Sequence, residues 1–216
     1  MGFYSDQIVP RVTHALMSAR PITEVRVRAL AGAEGTVLEV GFGSGLNLPH
    51  YPPAVTRLLA VEPSAVARRI AQPAIAACEF PVEFVGLDGQ SIALADAAVD
   101  CVVSTWTLCT IPNAERALAE FARVLKPGGK FVFAEQDRAP DAAVAKWQDR
   151  LDGLQRRLAG GCHLNRRIDA LIAVAPFAIA SLDKFYAEGP RTHAYFYVGV
   201  AAKASSIEGT AKHPPA

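Results

Sequence analysis

Hydrophobic and polar positions follow two alternating patterns over the first two thirds of the chain. Short runs of apolar, often β-branched residues recur, and stretches with helical periodicity separate them. The strand-like runs cover residues 36–40, 57–61, 82–85, 100–104 and 130–135. Each run is nearly continuously apolar, which is typical of parallel strands covered on both faces. The order predicts an α/β fold with a doubly wound, mostly parallel sheet.

The clearest helix signal follows the fourth strand-like run. Asn113 is a good N-cap residue, and Leu118, Phe121 and Leu125 share one face of the helix that it would begin. We expect Pro127-Gly128-Gly129 to stop this helix and turn the chain into the next strand.

The pattern changes after residue 140. A long amphipathic helix is predicted over 141–160 and a second over 167–177. Two strands over 178–188 and 194–202, with Gly189-Pro190 between them, predict a C-terminal antiparallel hairpin. We therefore expect one domain over residues 1–204, its first 30 residues forming a helical lid, and a flexible polar tail over 205–216.

Composition narrows the function classes. The chain has 216 residues, of which 51% are hydrophobic, and a net charge of +1, so it lacks the basic footprint of a nucleic-acid-binding protein. No apolar run approaches the roughly 20 residues of a membrane span. The four cysteines include no C-x-x-C pair. This predicts a cytoplasmic protein without disulfides, whose partner is a small molecule.

Candidate chemistry begins directly after the first strand. Gly41, Gly43 and Gly45 permit a tight turn, but Leu46 stands where a dinucleotide fingerprint has its third glycine. Glu39 precedes these glycines, and a carboxylate suits a cation better than a pyrophosphate. S-adenosylmethionine, which has a sulfonium and an ammonium group and no phosphate, fits this pattern. An ordinary glycine-rich turn is the alternative.

The ends of the next three strands carry further candidates. Glu62 ends the second strand at the interval where nucleotide folds place an acid on the ribose hydroxyls. Asp88 follows the third strand and can accept a hydrogen bond from an adenine amino group, although a turn aspartate is an alternative. Backbone from Thr105 to Leu108, after the fourth strand, would line the other side of the cofactor.

The motif EVGFGSG, Glu62, Asp88 and the motif RVLKPGGKFVFAE together resemble the class I S-adenosylmethionine-dependent methyltransferases over residues 35–137. The resemblance implies a Rossmann-like seven-stranded sheet in which the last hairpin inserts one antiparallel strand. It also implies that Glu39 lies near the methionine amino group, that Glu62 binds the ribose and that Asp88 binds the adenine. The predicted cofactor contacts are Glu39, Gly41, Phe42, Gly43, Gly45, Asn47, Glu62, Pro63, Asp88, Gly89, Thr105 and Leu108.

A narrower likeness concerns the acceptor. GFGSGLNLPHYP, the stretch over 107–129 and GGCHLNR (160–166) resemble the thiol S-methyltransferases called methyltransferase-like seven. This implies methyl transfer to a small, largely apolar acceptor, with a thiol as one option and O-, N- or C-methylation of a quinol, phenol, amine or lipid headgroup as others. A non-catalytic protein that senses the cofactor or supports a partner is the alternative.

The segment GGCHLNR also raises a catalytic question. His163 is a candidate to orient the acceptor or take its proton, and Asp137, after the fifth strand, is a second candidate base. We expect no metal, because adjacent Cys162 and His163 cannot easily turn to one ion and no second ligand pair has metal spacing. The structural alternative is a helix junction in which Asn165 caps the next helix.

Overall fold

The computed structural model describes residues 2–204, so the predicted tail over 205–216 lies outside the described residues. Seven strands form one sheet in the order β3-β2-β1-β4-β5-β7-β6. The first five are parallel, and β7 runs antiparallel to both β5 and β6. This confirms the doubly wound sheet with its C-terminal hairpin. The strands are β1 (Gly35–Val40), β2 (Val55–Val61), β3 (Val82–Gly86), β4 (Val99–Thr105), β5 (Leu125–Gln136), β6 (Phe177–Tyr186) and β7 (Tyr195–Lys203).

Helices cover both faces of the sheet because both faces of the strands are apolar. Leu118 and Phe121 of α5 and Ile168 of α7 are buried with one set of strand residues. Leu30 of α2 and Ala71, beside α4, are buried with the other. The helices are α1 (Val9–Met17), α2 (Arg20–Leu30), α3 (Ala65–Ile70), α4 (Gln72–Ala76), α5 (Ala114–Val124), α6 (Ala142–Leu158) and α7 (Ile168–Val174).

Helix α5 begins as predicted and ends earlier than predicted. The side chain of Asn113 accepts a hydrogen bond from the backbone N–H of Arg116 at 2.9 Å, which is the expected N-cap. The helix ends at Val124, before Pro127, because Leu125 already pairs with Val99 of β4. Sheet pairing therefore sets the boundary, and the glycines shape the turn inside the long β5.

The first 30 residues form two unlike parts. In α2, Val25 and Ala29 are buried among residues of β5 and β7, so this helix belongs to the core. Helix α1, together with a π-helical turn over Tyr4–Ile8 before it, has no buried residue. It is held at its edges, where the Tyr4 hydroxyl donates to the carbonyl of Leu158 at 2.9 Å. Burial therefore divides the predicted lid over residues 1–30 into an exposed first half and a buried second half, and its movement stays a prediction.

No helix within residues 2–204 combines the length and apolar character that crossing a bilayer requires.

Candidate functional site

A cavity of about 620 Å³ opens at the carboxyl ends of the parallel strands. Its walls come from the loops after β1, β2, β3 and β4, from α1 and α2, and from the start of β7. The strand order reverses between β1 and β4, and ligands of open α/β sheets bind at such a switch point. The fold therefore places the cavity where the sequence motifs converge.

The three glycines after β1 have different roles. A side chain at Gly41 would collide with Thr107, and one at Gly45 would press on Ala71 at 3.2 Å, so packing keeps both positions small, although Gly41 also lines the cavity. A Cβ at Gly43 would meet only the carbonyl of Gly41, at 3.8 Å, and Gly43 lines the cavity. Gly43 therefore keeps open the space against which a ligand can lie.

A buried polar network stands beside the glycine turn. Glu39 is only 1% exposed, and its carboxylate accepts hydrogen bonds from Asn47 Nδ2 at 2.7 Å and the Tyr51 hydroxyl at 2.8 Å. Burial raises the pKa of Glu39 to about 8, and the hydrogen bonds from Tyr51 and Asn47 oppose that rise. A cation in the cavity would favour the ionised form of this carboxylate.

The side chains of Arg26 and Trp106 belong to the site although the sequence motifs indicated only the backbone around Trp106. Arg26, only 3% exposed, donates through Nε to Asn47 Oδ1 at 2.7 Å and lies 5.0 Å above the Trp106 ring. Trp106 has a φ of 51°, and its Nε1 is the one buried side-chain polar atom within residues 2–204 without a hydrogen-bond partner. Both residues line the cavity, so donors for an anionic group are available beside Glu39. The available signal was the position of Arg26 on the same helical face as the apolar Ala29 and Leu30.

Glu62 and Asp88 differ in how firmly they are fixed. The Glu62 carboxylate accepts from Gly43 N and Ser64 N, both at 2.7 Å, and each oxygen keeps a lone pair for a ligand hydroxyl. Burial raises the pKa of Glu62. Asp88 is exposed, and one of its oxygens accepts from the backbone and side chain of Gln90, which lowers its pKa. The second Asp88 oxygen is free for an amino group.

All the predicted cofactor contacts line the cavity except Gly45 and Leu108, and these two placements are corrected. Gly45 packs away from the cavity against Leu48 and Ala71. Leu108 is fully buried, and its N–H donates to Glu135 Oε1 at 3.2 Å. Glu135 also accepts from Thr107 N and Ser104 Oγ, so this carboxylate shapes the loop after β4. Its pKa is raised to about 7 by burial.

The hydrogen-bond donors and acceptors that line the cavity match those of S-adenosylmethionine. Glu39 offers a carboxylate for a cation, the spare N–H groups of Arg26 and the unpaired Trp106 Nε1 offer donors for a carboxylate, and Glu62 offers acceptors for ribose hydroxyls. The gap at Gly43 leaves room for the chain that joins these groups. The residues present therefore fit the cofactor that the sequence motifs indicate.

The two predicted bases lie away from this cavity. The Asp137 carboxylate accepts from the backbone N–H groups of Ile168 at 2.8 Å and Asp169 at 3.3 Å, and so caps α7. Burial raises the pKa of Asp137 to about 6. His163 Nδ1 lies 3.5 Å from Asp152 Oδ1. Neither residue is among the cavity-lining residues of the described chain, so their catalytic roles stay predictions that the geometry does not favour.

The segment GGCHLNR is mainly a junction. Arg166 donates to the carbonyls of Leu108 and Ile111, which ties the segment to the loop after β4. Asn165 donates to Asp149 at 2.9 Å, so Asn165 does not cap α7 as the structural alternative had it. Gly160 and Cys162 are the residues of this segment that reach the cavity. Within residues 2–204, no three His, Cys, Asp or Glu side chains gather as metal ligands.

The part of the cavity wall formed after β4, at the end of β5, by the junction between α6 and α7 and by the C-terminal hairpin is here called the acceptor end. It comprises the lining residues Cys109, Gln136, Cys162, His193 and Phe196, none of which belongs to the predicted cofactor contacts. The imidazole at this end is His193, whose Nδ1 lies 2.9 Å from Thr192 Oγ1. Burial lowers the pKa of His193, so the ring is neutral at neutral pH. No local pattern in the sequence indicates that this turn histidine faces a cavity.

Comparison with known proteins bears on the same region. The family described as "Methyltransferase domain" matches residues 38–133. Human thiol S-methyltransferase TMT1A is 35% identical over 182 residues, which cover 79% of this chain and 74% of the human protein. Phosphatidylethanolamine N-methyltransferase of Cereibacter sphaeroides is 36% identical over 118 residues, 52% of this chain and 57% of that protein.

The fold is also similar to solved structures. A SAM-dependent methyltransferase from Methanosarcina mazei superposes with a TM-score of 0.63 at 19% identity, over 83% of this chain and 97% of that one. At this level of identity the likeness concerns the arrangement of strands and helices.

Proposed function

The chain belongs to the class I S-adenosylmethionine-dependent methyltransferases, and we propose that it transfers the methyl group to the sulfur of a small, largely apolar thiol. One observation carries the proposal. The acceptor end offers an apolar wall, two cysteine sulfurs and a neutral imidazole, while the carboxylates that line the cavity, Glu39, Glu62 and Asp88, belong to β1 and to the loops after β2 and β3.

Residues of this chain would hold the cofactor by complementary charge. When bound, S-adenosylmethionine supplies an electrophilic methyl group on a sulfonium. Glu39 would face the amino group of its methionine part, while Arg26 and Trp106 Nε1 would hold the carboxylate. Glu62 would accept from the ribose, and Asp88, through its free oxygen, from the adenine amino group. The rigid network of Glu39 and Asn47 sets the position of the methyl group before the acceptor arrives.

His193 would take the proton of the acceptor. Thr192 Oγ1 fixes Nδ1, and Nε2 has no hydrogen-bond partner within residues 2–204. A thiol has a pKa of about 8.5, against about 10 for a phenol and about 10.4 for an alkylammonium. The proton of a thiol is therefore the one that a neutral, weakly basic imidazole removes most easily. Gln136, beside His193 at the acceptor end, adds a polar contact without charge.

The relatives support a sulfur acceptor and also define its rivals. TMT1A is named for thiol methylation and covers most of this chain, whereas the phosphatidylethanolamine enzyme is similar over about half of it. Sulfur is therefore favoured over nitrogen. A quinol or phenol oxygen, a ring carbon and a lipid amine are the alternatives that an experiment must separate.

An acceptor panel with methyl-labelled cofactor tests the proposal. Benzylthiol, benzylamine, 4-methylphenol, a benzoquinol and phosphatidylethanolamine vesicles would be offered at equal concentration, and labelled product would be measured. We expect benzylthiol to be methylated at least tenfold faster than any other compound. Turnover of the amine, the phenol or the lipid in preference to the thiol would contradict it. Cofactor binding without turnover of any acceptor would indicate the non-catalytic alternative.

A further inference from the structure

Two cysteines that are far apart in sequence meet at the acceptor end of the cavity. The Sγ atoms of Cys109 and Cys162 lie 3.1 Å apart, and both residues line the cavity. Cys109 follows β4 and is 2% exposed, while Cys162 lies between α6 and α7 and is half-buried. In the methyl transfer described above, both only line the acceptor end, and neither moves a proton or binds the cofactor.

The backbone around the two thiols is already fixed. The N–H of His163 donates to the carbonyl of Cys109 at 3.0 Å, and Arg166 donates to the carbonyl of Ile111 at 2.7 Å. The two sulfurs therefore stay close without a covalent bond. A disulfide has an S–S length of about 2.05 Å, so closing it requires an approach of about 1 Å, which small side-chain rotations can supply.

We propose that Cys109 and Cys162 form a thiol–disulfide exchange site, oxidised by low-molecular-weight disulfides that enter the cavity. The Cys162 thiolate attacks a disulfide R–S–S–R, forms a mixed disulfide and releases one RS⁻. The Cys109 thiol loses its proton, its sulfur attacks Cys162 Sγ, and the second RS⁻ leaves. The released thiolates take up the protons of the two cysteines, so two thiols are oxidised and one disulfide is reduced to two thiols.

The assignment of attacking and resolving sulfur follows from access and hydrogen bonding. Cys162 is the more exposed of the pair. Its pKa is lowered because the Cys109 thiol donates to its thiolate, whereas the pKa of Cys109 is raised by that same interaction and by burial. The first attack therefore falls to Cys162.

Closing the disulfide would restrict the acceptor end. Gly160 packs near Val9 of α1, where an added Cβ would be 3.5 Å from Val9 Cγ1, and the Tyr4 hydroxyl bonds to Leu158 beside it. The N-terminal segment thus contacts the end of α6 and the start of the junction between α6 and α7. A bond from Cys162 to Cys109 would fix that junction to the loop after β4 and hinder entry of the acceptor. This consequence rests on the proposed function, whereas the exchange chemistry does not.

Mass spectrometry tests the exchange chemistry without any acceptor. The full chain would be treated with bis(2-hydroxyethyl) disulfide, and its intact mass and linked peptides determined. We expect loss of two hydrogen atoms and a peptide link between Cys109 and Cys162. Cys109→Ser should stop at a stable mixed disulfide on Cys162, Cys162→Ser should leave Cys109 unmodified, and Cys78→Ser, a control outside the cavity, should behave as wild type. Failure of the link to form in the wild type would overturn the proposal.

A second measurement tests the effect on the site. The oxidised chain should bind S-adenosylhomocysteine as tightly as the reduced chain, and its methylation of a thiol acceptor should begin with a lag. The lag arises because the first acceptor molecules reduce the disulfide, giving one R–S–S–R and the two protein thiols, and prior treatment with a phosphine reductant should remove it. A linked chain that methylates thiols with no lag would overturn the hindrance while leaving the proposed methyl transfer standing.

Discussion

A 2.7 Å hydrogen bond joins Nδ1 of His14 to Oγ of Ser44 and so connects α1 to the loop after β1. Helix α1 has no buried residue, and Phe3, Val12 and Leu16 are exposed on this N-terminal segment. Few contacts hold such a segment, so its local opening costs little free energy. The His14–Ser44 hydrogen bond is therefore one of few contacts that hold α1 beside the cavity.

Because α1 is weakly held, we predict that its amide hydrogens become more protected from exchange when a ligand fills the cavity. Amide hydrogen exchange over residues 9–17 should slow on addition of S-adenosylhomocysteine, and His14→Ala should reduce the slowing. Residues 114–124 of α5, which pack on the opposite face of the sheet, serve as the internal control and should not change. Equal exchange over 9–17 with and without the ligand would remove α1 as a lid.

Gly43 and Gly128 offer a matched pair for testing the cofactor end. Both have positive φ, 58° and 76°, and an added Cβ would have no close neighbour at either position. Gly43→Ala and Gly128→Ala should therefore lose similar stability, on the order of 1 kcal/mol, from backbone strain. Only Gly43→Ala should weaken S-adenosylhomocysteine binding, by about tenfold or more in calorimetric titration, because only Gly43 lines the cavity. Equal affinities in both variants would contradict this placement.

Burial of Glu39 predicts a pH dependence of stability in the cofactor-free chain. Its pKa rises from 4.5 to about 8 on folding, so the folded state binds more protons than the unfolded state between these values. Stability from this group is thus fully present below pH 4.5 and is lost as the pH rises to about 8, by an amount on the order of a few kcal/mol.

Glu39→Gln should flatten that slope. Urea unfolding measured from about pH 5 to about pH 9 would compare the slopes of the two chains, which is more secure than comparing their absolute stabilities. An identical slope in the variant and the wild type would show that Glu39 does not take up a proton on folding.

Variants of His193 and His163 test whether the proton is taken at the acceptor end or at the junction between α6 and α7. His193→Gln should reduce kcat for a thiol on the order of a hundredfold, the usual scale for loss of a general base. His163→Gln should leave kcat near the wild-type value, because His163 does not line the cavity. In the wild type, kcat should fall as the pH drops through the pKa of His193, which burial holds below 6.5. The reverse ranking of the two variants would restore the original prediction for His163.

The sequence predicts the fold better than the site because the two depend on different distances along the chain. Strand positions follow from local apolar runs, and all seven predicted strands are present. The glycine turn and Glu62 are also local signals. The other side chains of the site come from separate elements and line one cavity only after folding, so no motif spacing in the sequence indicates them. They are those of Arg26, Trp106 and His193.

Asp137 shows why a polar residue after a strand can mislead. Its position is that of a catalytic group, yet its carboxylate caps α7, whose start lies 31 residues further along the chain. That use depends on how the junction between α6 and α7 folds back, which local patterning does not encode. Asn165, the cap in the structural alternative, donates instead to Asp149 of α6.

The most direct test of the proposed reaction is to identify the atom to which the methyl group is transferred. The chain would be incubated with S-adenosylmethionine carrying carbon-13 in its methyl group and with a molecule bearing both a thiol and a phenol, such as 4-(mercaptomethyl)phenol. The carbon-13 NMR spectrum of the product distinguishes a methyl on sulfur from one on oxygen or carbon. We predict an S-methyl signal alone. The His193→Gln variant should give no such signal at the same enzyme concentration and reaction time. An O-methyl or C-methyl signal in its place would contradict thiol methylation.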